Sequence, residues 1–162
     1  MSHGTSEALG LSGHRLKHIS AGQQIPVGTF IVTAFAVVHD AREPLGYYIY
    51  SAVAGEGCLY FTDTGRMPPI SKNTIITHIL GEVNYVDEIL ETNVLNGTLH
   101  KDLGVRIKRN HFGLADMLNL LDDIDCEKLK SVHAIHLSER NSCAETIRSA
   151  LQEKTGALVF IG

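Results

Sequence analysis

The chain has 162 residues, of which 44% are hydrophobic and 20% charged, the make-up of one globular domain over residues 1–162 with a single core, and not of a disordered or fibrous protein. Its formal net charge of −4 argues against a general attraction to nucleic acid or to an anionic membrane. No stretch approaches the roughly 20 apolar residues of a membrane span, the opening MSHGTSEALG has neither the basic nor the apolar region of a signal peptide, and Cys58, Cys126 and Cys143 are spaced too widely for a disulfide framework or a zinc knuckle, so a cytoplasmic protein with free thiols is expected.

Residues 1–24 mix Gly, Ser and His with one short amphipathic possibility at 6–11, and read as a lead-in. His3, His14 and His18 form no HxH or HxxxH pair, so this segment carries little metal-binding signal. A Pro-containing turn is predicted at 25–28. TFIVTAFAVV at 29–38 is rich in β-branched and aromatic residues and predicts a largely buried strand that ends in His39-Asp40. After the turn signal Glu43-Pro44-Leu45-Gly46, YYIYSAV at 47–53 and CLYFT at 58–62 predict two more strands around Gly55-Glu56-Gly57, the second ending in Asp63.

Two of the four prolines make 64–72 a loop, and TIITHIL at 74–80 can be another strand, leading into Gly81-Glu82. Val86, Ile89, Leu90 and Val94 recur at helical spacing, with Asn96-Gly97 as the stop; in a chain without secretory features the sequon that begins at Asn96 marks a turn. Arg106, Lys108 and Arg109 form a local basic patch, read as a solvated surface. Leu114, Met117, Leu118 and Leu121 have the i, i+3, i+4, i+7 spacing of a helix packed on a sheet, and Asn110-His111-Phe112 stands directly before them. The apolar run at 131–137 predicts a strand that presents His136; Ala144, Ile147 and Leu151 predict a helix closing at Thr155-Gly156, and ALVFI at 157–161 a last strand.

The residues at element ends are His39, Asp63, Glu82, His111 and His136. Each taken singly has an ordinary reading: a surface imidazole, a turn aspartate before Gly65, a helix-start carboxylate, a cap neighbour. Together, imidazoles and carboxylates suit zinc, manganese or iron, and an aspartate can bridge two ions with one oxygen on each.

The segments VVHDAREPLGYYI, YFTDTG, GEVNYVDEIL, NHFGLADMLNLL and HAIHLSERNS, in this order, resemble the C-terminal half of metallo-β-lactamase-fold phosphodiesterases, in particular the branch of YycJ-type exonucleases and phage cyclic-nucleotide phosphodiesterases, with the transfer RNA processing ribonuclease Z more distant. The resemblance implies an α/β fold, an incomplete metallo-β-lactamase-like αββα sandwich with the C-terminal sheet, its helices and part of the N-terminal sheet. It implies two divalent metal ions, zinc or manganese, with His39, Asp63 (bridging) and His136 as ligands. It implies that Glu82 and His111 act together as the catalytic pair, orienting a scissile phosphate and protonating its leaving group, and that the substrate is a phosphodiester in a nucleotide or nucleic acid. Phe112-Gly113 depart from the Ser-Thr or Leu-Ser that usually follows this histidine.

The family's HxHxDH loop has no match in the chain. Each ion would then keep two protein ligands of this set, against the three or four of ordinary zinc sites. A split half or fragment of the enzyme, inactive alone and completed by the missing N-terminal half or another subunit, is therefore expected. The alternative is a non-catalytic half-fold module that buries its uncovered face against another subunit, with a homo-oligomer as one form. A regulatory nucleotide-binding domain using residues 106–109 is a third, weaker reading.

Overall fold

A computed structural model describes all 162 residues. Seven strands lie side by side in the order of the chain: β1 (Gln24–Val27), β2 (Phe30–Ala36), β3 (Leu45–Ser51), β4 (Glu56–Phe61), β5 (His78–Glu82), β6 (Ser131–Ile135) and β7 (Leu158–Ile161). The first four pair antiparallel through short turns, whereas β4, β5, β6 and β7 are parallel. Parallel neighbours need crossovers; these carry α2 (Asp87–Leu95), α3 (Lys101–Asn110) and α4 (Leu114–Asp122) between β5 and β6, and α5 (Ala144–Thr155) between β6 and β7. A short α1 (His3–Ala8) precedes the sheet.

Alternation along β4 to β7 divides the sheet into two unlike faces. Leu59, Ile79, Val132 and Val159 are register partners, and with Phe61 they meet Met117 and Leu121 of α4 and Ile147 and Leu151 of α5 in one buried cluster. Each such side chain is worth about 1.5–3 kcal/mol of burial, so this face holds the fold together. The other face carries the row Ala34, Tyr47, Tyr60, Leu80, His133 and Phe160. None of them belongs to the buried cluster; Ala34 is buried, Tyr47, Tyr60, Leu80 and His133 are half-buried, and Phe160 is 47% exposed.

Several elements differ from the sequence expectation. Residues 25–28 are not only a turn: β1 forms there, and Pro26 is tolerated because β1 is an edge strand whose missing N–H faces no partner. The fifth strand begins at His78 instead of residue 74, and α1 begins at His3 instead of residue 6. The basic stretch at 106–109 lies in a helix, α3, that its few apolar residues do not announce; Gly104 is buried there, within 2.9 Å (as a virtual Cβ) of Val94 on α2, so the two helices meet through a missing side chain. His100 caps α3 by accepting from the Asp102 N–H at 3.3 Å. All seven strands form one sheet, so within this chain no second sheet packs on the exposed face. No helix is long and apolar enough to cross a membrane.

Candidate metal centre

The C-terminal ends of β4, β5 and β6 lie together at one edge of the sheet, the position where open α/β sheets gather functional groups. Asp63 follows β4, Glu82 ends β5 and His136 follows β6. Their register brings them together: Phe61 pairs with Gly81, and Glu82 with Ile135. His111 enters from the end of α3 and His39 from the segment after β2.

Glu82 is fully buried and is held on both oxygens. Oε2 accepts from the backbone N–H of Thr64 at 3.1 Å and of Phe112 at 3.3 Å. Oε1 lies 2.7 Å from His111 Nδ1 and 3.0 Å from His136 Nδ1. The hydrogen bond to Glu82 raises the pKa of His111 above its ordinary value; burial opposes this, and the charges of Glu82, Asp63 and Asp40 assist. An imidazole that gives its Nδ1 proton to a carboxylate keeps a free lone pair on Nε2, the usual arrangement of a metal-ligating or proton-carrying histidine.

Asp63 Oδ1 stands 3.5 Å from His136 Nδ1, 3.8 Å from His111 Nδ1 and 3.8 Å from His39 Nε2. These distances exceed hydrogen bonds and set the Asp63 carboxylate against three imidazole rings. Asp63, Glu82, His111 and His136 each offer a ligand atom, all within 4.8 Å of one another. Two imidazoles and two carboxylates fit a divalent zinc, manganese or iron ion. His39 lies beside this group, its ring centroid 5.8 Å from that of His111.

Local backbone geometry aims these side chains. Asp63 has φ +50° and His136 φ +58°, the left-handed region that costs a non-glycine residue about 1–2 kcal/mol. The strain is held by neighbours: Asn84 Nδ2 donates to the His136 carbonyl at 2.9 Å, and Thr64 Oγ1, fully buried, accepts from Val38 N–H at 3.1 Å, fixing the turn after Asp63 to the segment before His39. Gly65 completes that turn because a Cβ there would lie 1.7 Å from the Arg109 carbonyl oxygen; only glycine lets the Asp63 turn reach the end of α3. Residues 83–86 thread between the segments that carry the two histidines, with Asn84 N–H on Phe112 O, Leu114 N–H on Tyr85 O and Ser138 N–H on Asn84 O.

All five residues singled out in the sequence thus converge. Sequence reasoning did not anticipate the supporting set, Asp40, Thr64, Gly65, Asn84 and Asn110. The dipeptides His39-Asp40 and Asn110-His111 offered the signal for two of them, since each sets a side-chain hydrogen-bonding group next to a candidate histidine.

No protein-family model and no curated protein sequence matches the chain. Solved structures do. The metallo-β-lactamase-fold protein YhfI from Bacillus subtilis superposes with a TM-score of 0.61 at 13% identity, over 90% of this chain and 52% of that one. CmlA, a diiron β-hydroxylase from Streptomyces venezuelae, gives 0.54 at 10% identity over 89% of this chain and 33% of that one, and a mutant form of CmlA gives 0.58 at 10% identity over 90% and 32%. The chain spans about half the length of the YhfI structure and about a third of CmlA. Its fold is that of the corresponding part of the metallo-β-lactamase fold, and its candidate metal-binding group sits at the C-terminal edge of the sheet.

Proposed function

We propose that this chain contributes part of the active site of a dinuclear metal-dependent hydrolase that cleaves phosphodiesters in a nucleotide or nucleic acid, in the manner of the YycJ-type branch it resembles. The observation that carries the reading is the buried Glu82 carboxylate shared between His111 and His136, with Asp63 Oδ1 facing three imidazoles. A buried carboxylate hydrogen-bonded to one imidazole and two backbone N–H groups, with a second imidazole nitrogen 3.0 Å away, is more than packing requires.

In this reading His39, Asp63 and His136 would hold the zinc or manganese ions, with Asp63 as the ligand common to both. Bound there, the ions would supply Lewis-acid polarisation of the phosphoryl group and activation of a water for attack. Glu82 orients His111 and holds its Nδ1 proton, and His111 gives a proton from Nε2 to the leaving oxygen. In this reading the remaining ligands come from a segment that carries HxHxDH, on another part of the protein or on another subunit. The half-buried row of Tyr47, Tyr60, Leu80 and His133, which ends at the exposed Phe160, supports such a partner, because a largely apolar sheet face favours being covered.

The test mixes the chain with a metallo-β-lactamase-fold segment that carries HxHxDH and follows bis-p-nitrophenyl phosphate in manganese or zinc. Cleavage well above that of either part alone is expected. Background rates in every combination would overturn the hydrolase reading and leave the alternative, a non-catalytic module that assembles through the same sheet face.

A further inference from the structure

His39 is the candidate ligand whose ring is fixed least obviously. Its Nδ1 accepts from the Ala41 backbone N–H at 3.0 Å and lies 3.4 Å from Asp40 Oδ1, while its Nε2 points to Asp63. A neutral imidazole whose Nδ1 accepts carries its proton on Nε2, and that nitrogen then has no lone pair for a metal. To ligate through Nε2, the ring must place its proton on Nδ1, where an acceptor must replace the Ala41 donor. Asp40 Oδ1 is the acceptor within reach.

The second oxygen of that carboxylate is held elsewhere. Asp40 Oδ2 accepts from Asn110 Nδ2 at 3.0 Å and from an Arg106 guanidinium nitrogen at 3.0 Å. Asn110 is 5% exposed and immediately precedes His111. Asp40 therefore touches His39 with one oxygen and the end of α3 with the other, joining the two segments that deliver candidate histidines.

We infer that Asp40 is a positioning residue that selects the metal-ligating tautomer of His39 and, through Asn110 and Arg106, fixes that histidine relative to His111. The inference rests on the reading of His39 as a ligand given above. Both tautomers are neutral, so no proton enters or leaves the protein in the exchange. Arg106 and Asn110 present only donors to Oδ2, so they set the polarity of the whole group: whatever stands at position 40 must turn an acceptor toward them.

This gives an isosteric test. In D40N the amide oxygen is retained by Asn110 and Arg106, so the NH2 faces His39 Nδ1 and keeps it an acceptor, with the proton on Nε2. Ring-nitrogen shifts of His39, read by long-range nitrogen–proton correlation at fixed pH with and without zinc chloride, report the tautomer directly. Zinc affinity is measured by competition with a chromogenic chelator. The wild-type ring is expected to move to the Nδ1-protonated form with zinc, whereas in D40N it stays Nε2-protonated and zinc binds about 10–100-fold more weakly. R106Q, which keeps the Asp40 carboxylate, is expected to lose less than D40N.

A metal-free melting temperature within a few degrees of wild type separates this effect from misfolding, and if D40N unfolds, the comparison of R106Q with wild type carries the same readouts. Identical His39 ring shifts and zinc affinities in wild type and variants, or a wild-type ring that stays Nε2-protonated with zinc, overturns the inference. Failure of the phosphodiesterase assay with the tautomer difference intact would remove the proposed substrate and leave this role standing.

Discussion

Glu82 Oε1 lies 2.7 Å from His111 Nδ1 although the two residues are 29 positions apart, with α2 and α3 between them. The pairing joins a fully buried carboxylate to an imidazole on the rim. E82Q keeps the volume but puts an NH2 in place of one acceptor oxygen, so it can no longer accept from both His111 and the two backbone N–H groups as the carboxylate does. Leaving buried donors under-satisfied costs about 1–3 kcal/mol. Urea denaturation should show that loss, and reporter cleavage in the completed enzyme should fall to background.

Asp63 is the oxygen common to His39, His111 and His136. A ligand that binds only the folded state raises stability by RT ln(1 + [L]/Kd). Zinc at concentrations above its Kd should therefore raise the melting temperature of the wild-type chain, and EDTA should reverse the rise. D63N should show little or no zinc-dependent shift; a rise equal to that of the wild type would remove Asp63 from the ligand set.

Gly65 is packed against the carbonyl of Arg109, with no room for a Cβ. G65A must push the Asp63 turn away from α3. Overpacking of this kind costs about 1–3 kcal/mol, to be measured by denaturant titration, and the displacement should weaken zinc binding beyond what the stability change explains. A neutral G65A would mean that the turn and α3 separate freely.

At the opposite edge of the sheet, Glu56 accepts from Lys130 and lies 3.4 Å from His78 Nε2. The Lys130 hydrogen bond, then the His78 one, hold its carboxyl below the ordinary range. A carboxylate with a depressed folded-state pKa adds stability above its unfolded pKa of about 4.3. That increment disappears as pH falls through the folded value. E56Q should therefore lower the melting temperature slightly at pH 7, and the gap from wild type should close on acidification toward pH 3.

The uncovered face makes a prediction about solubility. Phe160 is 47% exposed and Leu158 64%, and both lie outside the buried cluster. Replacing Phe160 with Ser or Leu158 with Gln should change unfolding free energy by less than about 1 kcal/mol, and should reduce self-association seen by light scattering at high concentration. By contrast, M117A, at a position 0% exposed between helix and sheet, should cost about 2–5 kcal/mol.

Local chemistry in the sequence determined the order of the elements. The β-branched runs of β2, β3 and β4, the helical spacing of Leu114, Met117 and Leu121, and the stop at Gly156 each depend on near neighbours, and each appears within about two residues of where the pattern put it, although β2, expected to be largely buried, is buried only at Ala34. The five candidate residues were legible for the same reason, since every one stands where a periodic run gives way to polar residues. β1 and α3 were not legible: the first is an edge strand recruited by pairing with β2, and the second packs through the absence of a side chain at Gly104.

Only the tertiary structure decided which partners those residues meet. Parallel pairing of β4, β5 and β6 places Asp63, Glu82 and His136 at one edge, a long-range hydrogen bond to Glu82 turns His111 toward it, and His39 Nε2 comes within 3.8 Å of Asp63. The left-handed backbone at Asp63 and His136 follows from contacts with Asn84 and Thr64, and Asp40 acquires its position between His39 and Asn110 from the packing of α3. Hydrophobic period is a property of neighbours along the chain; ligand geometry is a property of neighbours in space, and it is fixed only when the crossovers close.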